Sequence, residues 1–260
     1  MMRIFNRLGR EFISLHSRGL ALFAACALAI FADTALAETT ASFYLGSSHT
    51  GNSDVRISQP GTASDATFRG VNWDTESFKN PRYYGIRLSH FFEGRPDWGV
   101  GFEFIHDKVY ARTDQVVHVG GTWNGAPVNE DARMNQRVQS FNMSHGLNIL
   151  ALNVYRRWMH ETGNEFPRGR WQPYAGAGLV YYLLHPENSV NGQKNDESYQ
   201  GGGVGYQLLG GLQYGVTQAV GIFIEAKYNN GKVAVDTAGG GRGETVLKGS
   251  QLLGGVNVAF

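Results

Sequence analysis

From Val204 to Tyr228 the chain alternates, residue by residue, between two kinds of side chain. That period of two restricts the fold more than any other feature of the sequence. Val204, Tyr206, Leu208, Leu212 and Tyr214 fall on one face, and Gly205, Gln207, Gly211, Gln213 and Gly215 on the other. After a break at Thr217-Gln218, Val220, Ile222, Ile224, Ala226 and Tyr228 oppose Gly221, Phe223, Glu225 and Lys227. A two-residue period belongs to a strand with two different faces, because successive Cβ atoms point to opposite sides. No stretch carries the i, i+3, i+4 spacing of an amphipathic helix.

The 35 glycines strengthen this reading: their share is about twice the usual 7%. Many sit inside the alternating runs, where each would penalise a helix by about 1 kcal/mol. Eight runs can be drawn: Thr39–Ser47, Tyr83–Phe92, Trp98–Tyr110, Phe141–Trp158, Trp171–Leu184, Val204–Val216, Val220–Tyr228 and a last one ending at Phe260. The apolar parity of Phe141–Trp158 slips near Ile149-Leu150, so its facing stays open and a bulge is expected. Connections alternate between long (48–82, 111–140, 185–202, 229–244) and short or intermediate (93–97, 159–170, 217–218). Short turns at one end and long loops at the other fit an eight-stranded antiparallel up-and-down barrel of the outer-membrane type.

Alternation does not say which face is inside. A soluble ligand-binding barrel has the same period, with its apolar face inward. Here the less apolar face carries Arg87, Glu103, Asp107, Glu225 and Lys227 in mid-strand, and sealing these into a soluble core would be unfavourable. In the polar lumen of a membrane barrel they can pair, and salt bridges filling a narrow lumen are the expected role of Glu103, Arg87, Glu225 and Lys227. Aromatics also gather near strand ends, as in the interfacial girdles of membrane barrels: Tyr83-Tyr84, Phe91-Phe92, Trp98, Tyr110, Trp158, Trp171, Tyr181-Tyr182, Tyr214 and Tyr228. Lipid is therefore the expected surroundings of Val204, Tyr206, Leu208, Ile222, Ile224, Val256 and Val258.

Residues 1–37 read as a signal peptide. Arg3, Arg7, Arg10 and Arg18 precede the apolar run Leu20–Ala32, and Ala35-Leu36-Ala37 supplies a small-residue cleavage site before Glu38. Residues 38–260 would then be the barrel domain, exported to a Gram-negative outer membrane. The single cysteine, Cys26, lies in the leader, which excludes disulfides and cysteine-based sites from the domain. With 23 basic and 22 acidic residues the chain has no basic excess, and nothing favours nucleic acid as a partner.

Three resemblances follow from particular residues. The terminal Val256-Asn257-Val258-Ala259-Phe260 resembles the C-terminal signature of outer-membrane barrels, and Trp171–Gly178 resembles the PYxGxG strand of the OmpA-like superfamily. The first implies recognition by the barrel assembly machinery. More narrowly, Gly101–Tyr110, His145–Leu150 and Tyr155-Arg156-Arg157-Trp158 resemble the rhizobial lipid A oxidase-like group. That resemblance implies an oxygen-dependent oxidoreductase that converts the proximal glucosamine of lipid A to an aminogluconate, with lipid A and outer-membrane lipids as its partners. It carries over no catalytic residues.

Candidate chemistry therefore comes from the residues themselves. If Tyr110 faces Phe141 across the third and fourth runs, His106 faces His145, with Asp107 and Glu103 close in sequence. These four are the catalytic candidates. His106 and His145 are the metal candidates, with a divalent ion as the cofactor to be tested. His49, His118 and His185 read as solvated loop or loop-edge residues. No His-x-Ser, G-x-S-x-G, H-E-x-x-H or P-loop occurs, and Gly201–Gly203 and Gly239–Gly241 read as flexible loop. The function classes in competition are a lipid A-modifying enzyme, a structural or adhesive barrel acting through its extracellular loops, and a soluble ligand-binding barrel.

Overall fold

The computed structural model describes residues 38–160 and 165–260. The leader expected at 1–37 lies outside the described residues. In chain order the strands are β1 (Glu38–Thr50), β2 (Ser53–Gln59), β3 (Ser64–Val71), β4 (Trp73–Asp74), β5 (Tyr84–Phe92), β6 (Arg95–Ala111), β7 (Val116–Trp123), β8 (Ala126–Arg133), β9 (Val138–Arg157), β10 (Trp171–Leu184), β11 (Glu187–Val190), β12 (Gln193–Lys194), β13 (Gln200–Gly215), β14 (Val220–Thr237) and β15 (Gly241–Ala259).

Eight of the described strands close an antiparallel ring in the order β1, β5, β6, β9, β10, β13, β14, β15. β15 pairs back to β1 from Thr40↔Ala259 to Thr50↔Gly249, so the ring has no free edge. These eight strands match the eight alternating runs of the sequence, some of which overrun a strand end by one residue. At the end that carries Glu38, β5 and β6 are joined through Glu93-Gly94, and β13 and β14 through residues 216–219. At the other end the strands run on beyond the ring.

That far end differs from expectation: the anticipated long loops are largely strand. β2 pairs with β15, and the sheet continues through β3 and β7 to β8, whose outer edge is bordered by no described strand. Val55, Ile57, Phe68, Val119, Phe141 and Met143 are buried in its core, which is continuous with the barrel interior. Their Val-x-Ile and Val-x-Val spacing is the same period of two, carried by runs too short to stand out. Residues 229–244 are no loop either. β14 and β15 pair without interruption as far as Thr237↔Gly241. Their turn puts Gly239 and Gly240 at φ 68° and 73°, a left-handed backbone that glycine adopts without strain.

Facing follows the sequence in the barrel wall. Val204, Tyr206, Leu208, Ile222, Ile224, Val256 and Val258 all lie on the outer surface, with Val204 68% and Ile224 63% exposed. The aromatic expectation holds for one member of each tyrosine pair only. Tyr83 and Tyr182 are buried inside, whereas Tyr84 and Tyr181 are partly exposed, because neighbours on a strand cannot share a face. Inward glycines leave room for tyrosines that lean across the lumen. A Cβ on Gly85 would stand 2.1 Å from the Tyr44 ring, and one on Gly211 would stand 2.6 Å from Tyr174.

The bulge in β9 lies nearer the far end than expected. From Ile149 to Arg157 the strand alternates cleanly, with Ala151, Asn153 and Tyr155 buried. The irregularity falls where Asp107 pairs with Leu147 but Val109 pairs with Met143. Ser144, His145 and Gly146 thus stand opposite the single residue Lys108, and Gly146 has φ 159°.

Candidate functional site

The lumen is filled by charged side chains. Arg87 and Glu103 are register partners on β5 and β6. The Arg87 guanidinium donates to Glu103 Oε1 through Nε (2.9 Å) and Nη2 (2.7 Å), and Nη2 reaches Glu225 Oε1 across the lumen at 2.6 Å. Lys227 Nζ lies 2.8 Å from Glu103 and 3.4 Å from Glu225. Tyr44 and Gln207 also donate to Glu103, and Tyr174 donates to Glu225. Two acids and two bases, each with hydrogen-bond partners, satisfy the condition under which buried charge is tolerated. The expected salt-bridge filling is what the structure shows, and Glu103 is wholly buried.

This arrangement overturns the soluble-barrel expectation. A closed barrel with an apolar outer surface and an ionic interior is a transmembrane architecture, because among β-sheets only a closed barrel satisfies every backbone group within lipid. The chain is a transmembrane β-barrel of the outer-membrane type. Long strand extensions leave the end opposite the short turns, and in such barrels the long connections are extracellular.

The four sequence candidates do not form one site. His106 faces outward: its ring stacks on Tyr84 at 5.3 Å, and its Nδ1 lies 2.9 Å from Asn148 Oδ1. Across the ladder its partner is Asn148, not His145. Asp107, next along the strand, must face inward. Its Oδ1 accepts from the Ser48 hydroxyl at 2.7 Å and from the Lys108 backbone N–H at 2.8 Å. Glu103 belongs to the lumen cluster. His145 lies apart from all three because the β9 bulge carries it away from the register assumed from sequence.

His145 instead has partners that sequence reasoning left in a loop. The described residues bring His145, His185 and Glu187 together, with one ligand atom from each lying within 4.8 Å of the others. His145 Nδ1 contacts Glu187 Oε1 directly, and His185 Nδ1 is 4.0 Å from the same oxygen. β10 ends at Leu184, and the His185 backbone N–H donates to the Gly146 carbonyl at 2.9 Å, which brings the chain alongside the bulge. Tyr199 braces the group: its ring lies 4.9 Å from that of His185 and its hydroxyl donates to the His145 carbonyl at 3.2 Å.

The group opens on the outside of the wall. Asn188 pairs with the core residue Phe141, so Glu187, paired with Asn142, faces away from the core. The His145 side chain is 67% exposed, against 16% for His185 and 24% for Glu187. Chemically the three can accept and pass a proton, or hold a cation on two nitrogens and a carboxylate. One signal in the sequence pointed to it: His185-x-Glu187 has the spacing that puts two side chains on one strand face.

No known family model matches the chain, and no curated protein matches it by sequence. Among solved structures it is similar to the outer membrane protein OprG from Pseudomonas aeruginosa, at 12% identity over 87% of this chain and 96% of that one, with a TM-score of 0.43. It is also similar to Neisserial surface protein A (14%, 87% and 98%, 0.39). The outer membrane protease OmpT from Escherichia coli is a third (10%, 86% and 97%, 0.40). The barrel assignment rests on the strand ring itself, and no activity follows from these likenesses.

Proposed function

We propose that this barrel is an outer-membrane enzyme of the outer leaflet that oxidises the proximal glucosamine of lipid A. The observation that carries the reading is the position of His145, His185 and Glu187. They sit on the outer face of the extracellular rim, open sideways, while the lumen below is closed by ions. His145 stands in the bulge opposite Lys108, two strand steps beyond His106, or about 7 Å along the wall, and His106 is level with Tyr84 and Asn148. Lipid A in the outer leaflet presents its sugars at such a height. The resemblance of Gly101–Tyr110, His145–Leu150 and Tyr155–Trp158 to the lipid A oxidase-like group falls on β6 and β9, and β9 carries His145.

In this reading the imidazole–carboxylate pair takes a proton from the sugar hydroxyl, which is general-base work for which histidine is suited. The C1 hemiacetal loses two electrons and two protons and becomes a lactone. Dioxygen takes both and becomes hydrogen peroxide, and water opens the lactone to the aminogluconate.

The test uses the purified barrel in vesicles containing lipid A with a free C1 hydroxyl. Mass spectrometry of the lipid and a peroxide assay should both report product, and both signals should fall with His185→Ala. Unchanged lipid A with the folded wild-type protein overturns the reading.

A second reading is a contact protein that works through its extracellular sheet. It is favoured by β8, an exposed outer strand whose second edge is bordered by no described strand. Cell or protein adhesion that survives His185→Ala and is lost when residues 116–133 are excised would support it.

A further inference from the structure

We infer that His145, His185 and Glu187 form a binding site for a divalent first-row transition metal ion. The inference does not rest on the lipid A reading, since an ion can be held with or without that chemistry. Three observations carry it.

The donor set is the first. Two imidazoles and one carboxylate suit the middle of the first transition row, and three ligands on one side leave positions open for water or substrate oxygen. Calcium and magnesium prefer all-oxygen sites.

The second observation is an unpartnered atom. His185 Nδ1 is buried and has no hydrogen-bond partner. A buried nitrogen left without a bond is unfavourable and calls for a ligand. This one lies 4.0 Å from Glu187 Oε1, so one ion could serve both atoms.

Geometry is the third. Bonds of about 2.0–2.2 Å place the donor atoms of one ion roughly 3–4 Å apart. The present separations of up to 4.8 Å and the direct His145–Glu187 contact need only a small adjustment. The residue best able to move is the one on the bulge: His145 is the most exposed of the three. Glu187 is held by the β11–β9 ladder, and His185 by its backbone N–H bond to the Gly146 carbonyl. Tyr199 packs against His185 and fixes the His145 backbone through its hydroxyl. A ligand set with two fixed members and one swinging member can open to load an ion and close on it.

The experiment is a titration of the metal-free mature barrel in detergent micelles with Co2+, read by its visible d–d absorption, followed by displacement with Zn2+. We expect one equivalent of Co2+ in the wild type, with intensity typical of nitrogen ligation. His185→Ala and Glu187→Gln should each abolish stoichiometric binding. His118→Ala removes the exposed His118–Asp131 pair on the distal hairpin and should leave binding unchanged. Heat-modifiable migration on gels shows that each variant is a folded barrel. If a variant fails this check, His145→Ala, at the most exposed of the three positions, decides in its place. The inference is overturned if the folded wild type takes up no ion, or if the ligand variants bind Co2+ as the wild type does. Metal binding without lipid A oxidation would leave this site standing and remove the lipid A reading. Oxidation without metal binding would do the reverse.

Discussion

His106 and Asn148 face one another across β6 and β9, both almost fully buried, with the imidazole Nδ1 2.9 Å from the Asn148 side-chain oxygen. The other ring nitrogen, Nε2, is buried and has no hydrogen-bond partner among the described residues. The pair clamps the wall where the barrel gives way to its extension. His106→Ala and Asn148→Ala should each lower stability by about 1 kcal/mol, and the double variant should lose less than the sum. Denaturant unfolding of all four proteins checks the coupling. Additive losses would show that the pair contributes nothing jointly.

Ile224 tests the lipid-facing wall. It stands on the outer surface of β14 between Leu212 and Gly254. Ile224→Arg should destabilise the barrel by about 2–4 kcal/mol if the site is near the bilayer midplane. Equilibrium unfolding in vesicles measures this, and a change within 0.5 kcal/mol would mean that the side chain does not face hydrocarbon.

Removing Glu103 should do more harm than removing any surface acid. Its loss leaves Arg87 and Lys227 sharing only Glu225. Breaking a buried ion pair from one side costs about 3–5 kcal/mol. Glu103→Ala is therefore expected to lower the unfolding midpoint sharply. Arg56→Ala, on the exposed Arg56–Asp65 pair, should change stability by less than about 1 kcal/mol.

Gly85 should tolerate no side chain. Gly85→Val would drive a methyl-bearing carbon into the Tyr44 ring and push its hydroxyl from Glu103. Overpacking of this kind costs about 1–3 kcal/mol. Gly94, in the turn after β5, has open space around it. Alanine there should be nearly neutral, and the contrast between the two variants is the measurement.

Outside the membrane, Glu244 gives a pH signature. A hydrogen bond from Lys232 holds its carboxyl below the usual range, helped by Arg242. A carboxylate with a depressed folded pKa stabilises the fold above its unfolded value of about 4.3 and loses that contribution as the pH falls further. Lys232→Ala should raise the Glu244 titration midpoint seen by NMR. It should also remove up to about 1 kcal/mol at neutral pH and nothing in strong acid.

The wall of the barrel was legible in the sequence and the rim was not. Val204–Tyr228 shows its two faces because lipid and lumen demand different side chains at every step. The extension has no such contrast. In β2, Val55 and Ile57 alternate with Arg56 and Ser58 over only a few residues, and in β11 the run is four residues long. Register was the harder loss. Above the bulge, Tyr110 faces Asn142, one residue from the assumed Phe141. Below it, His106 faces Asn148, three residues from the assumed His145. Two extra residues at Ser144–Gly146 account for the difference, and nothing in local composition marks where a bulge absorbs them. The same bulge brings His145 beside His185, so the feature that defeated the register also made the site.

The ionic filling of the lumen has a consequence for the cell that carries this protein. Glu103, Arg87, Glu225 and Lys227 are bonded from wall to wall, so solutes have no open route between the two aqueous compartments. A leaky barrel limits its own abundance, because each copy admits detergents and antibiotics. A stoppered one can be inserted at high density without weakening the envelope as a permeability barrier. Its working parts must then reach everything they act on from the surface side, by lateral diffusion in the leaflet or by collision from the medium.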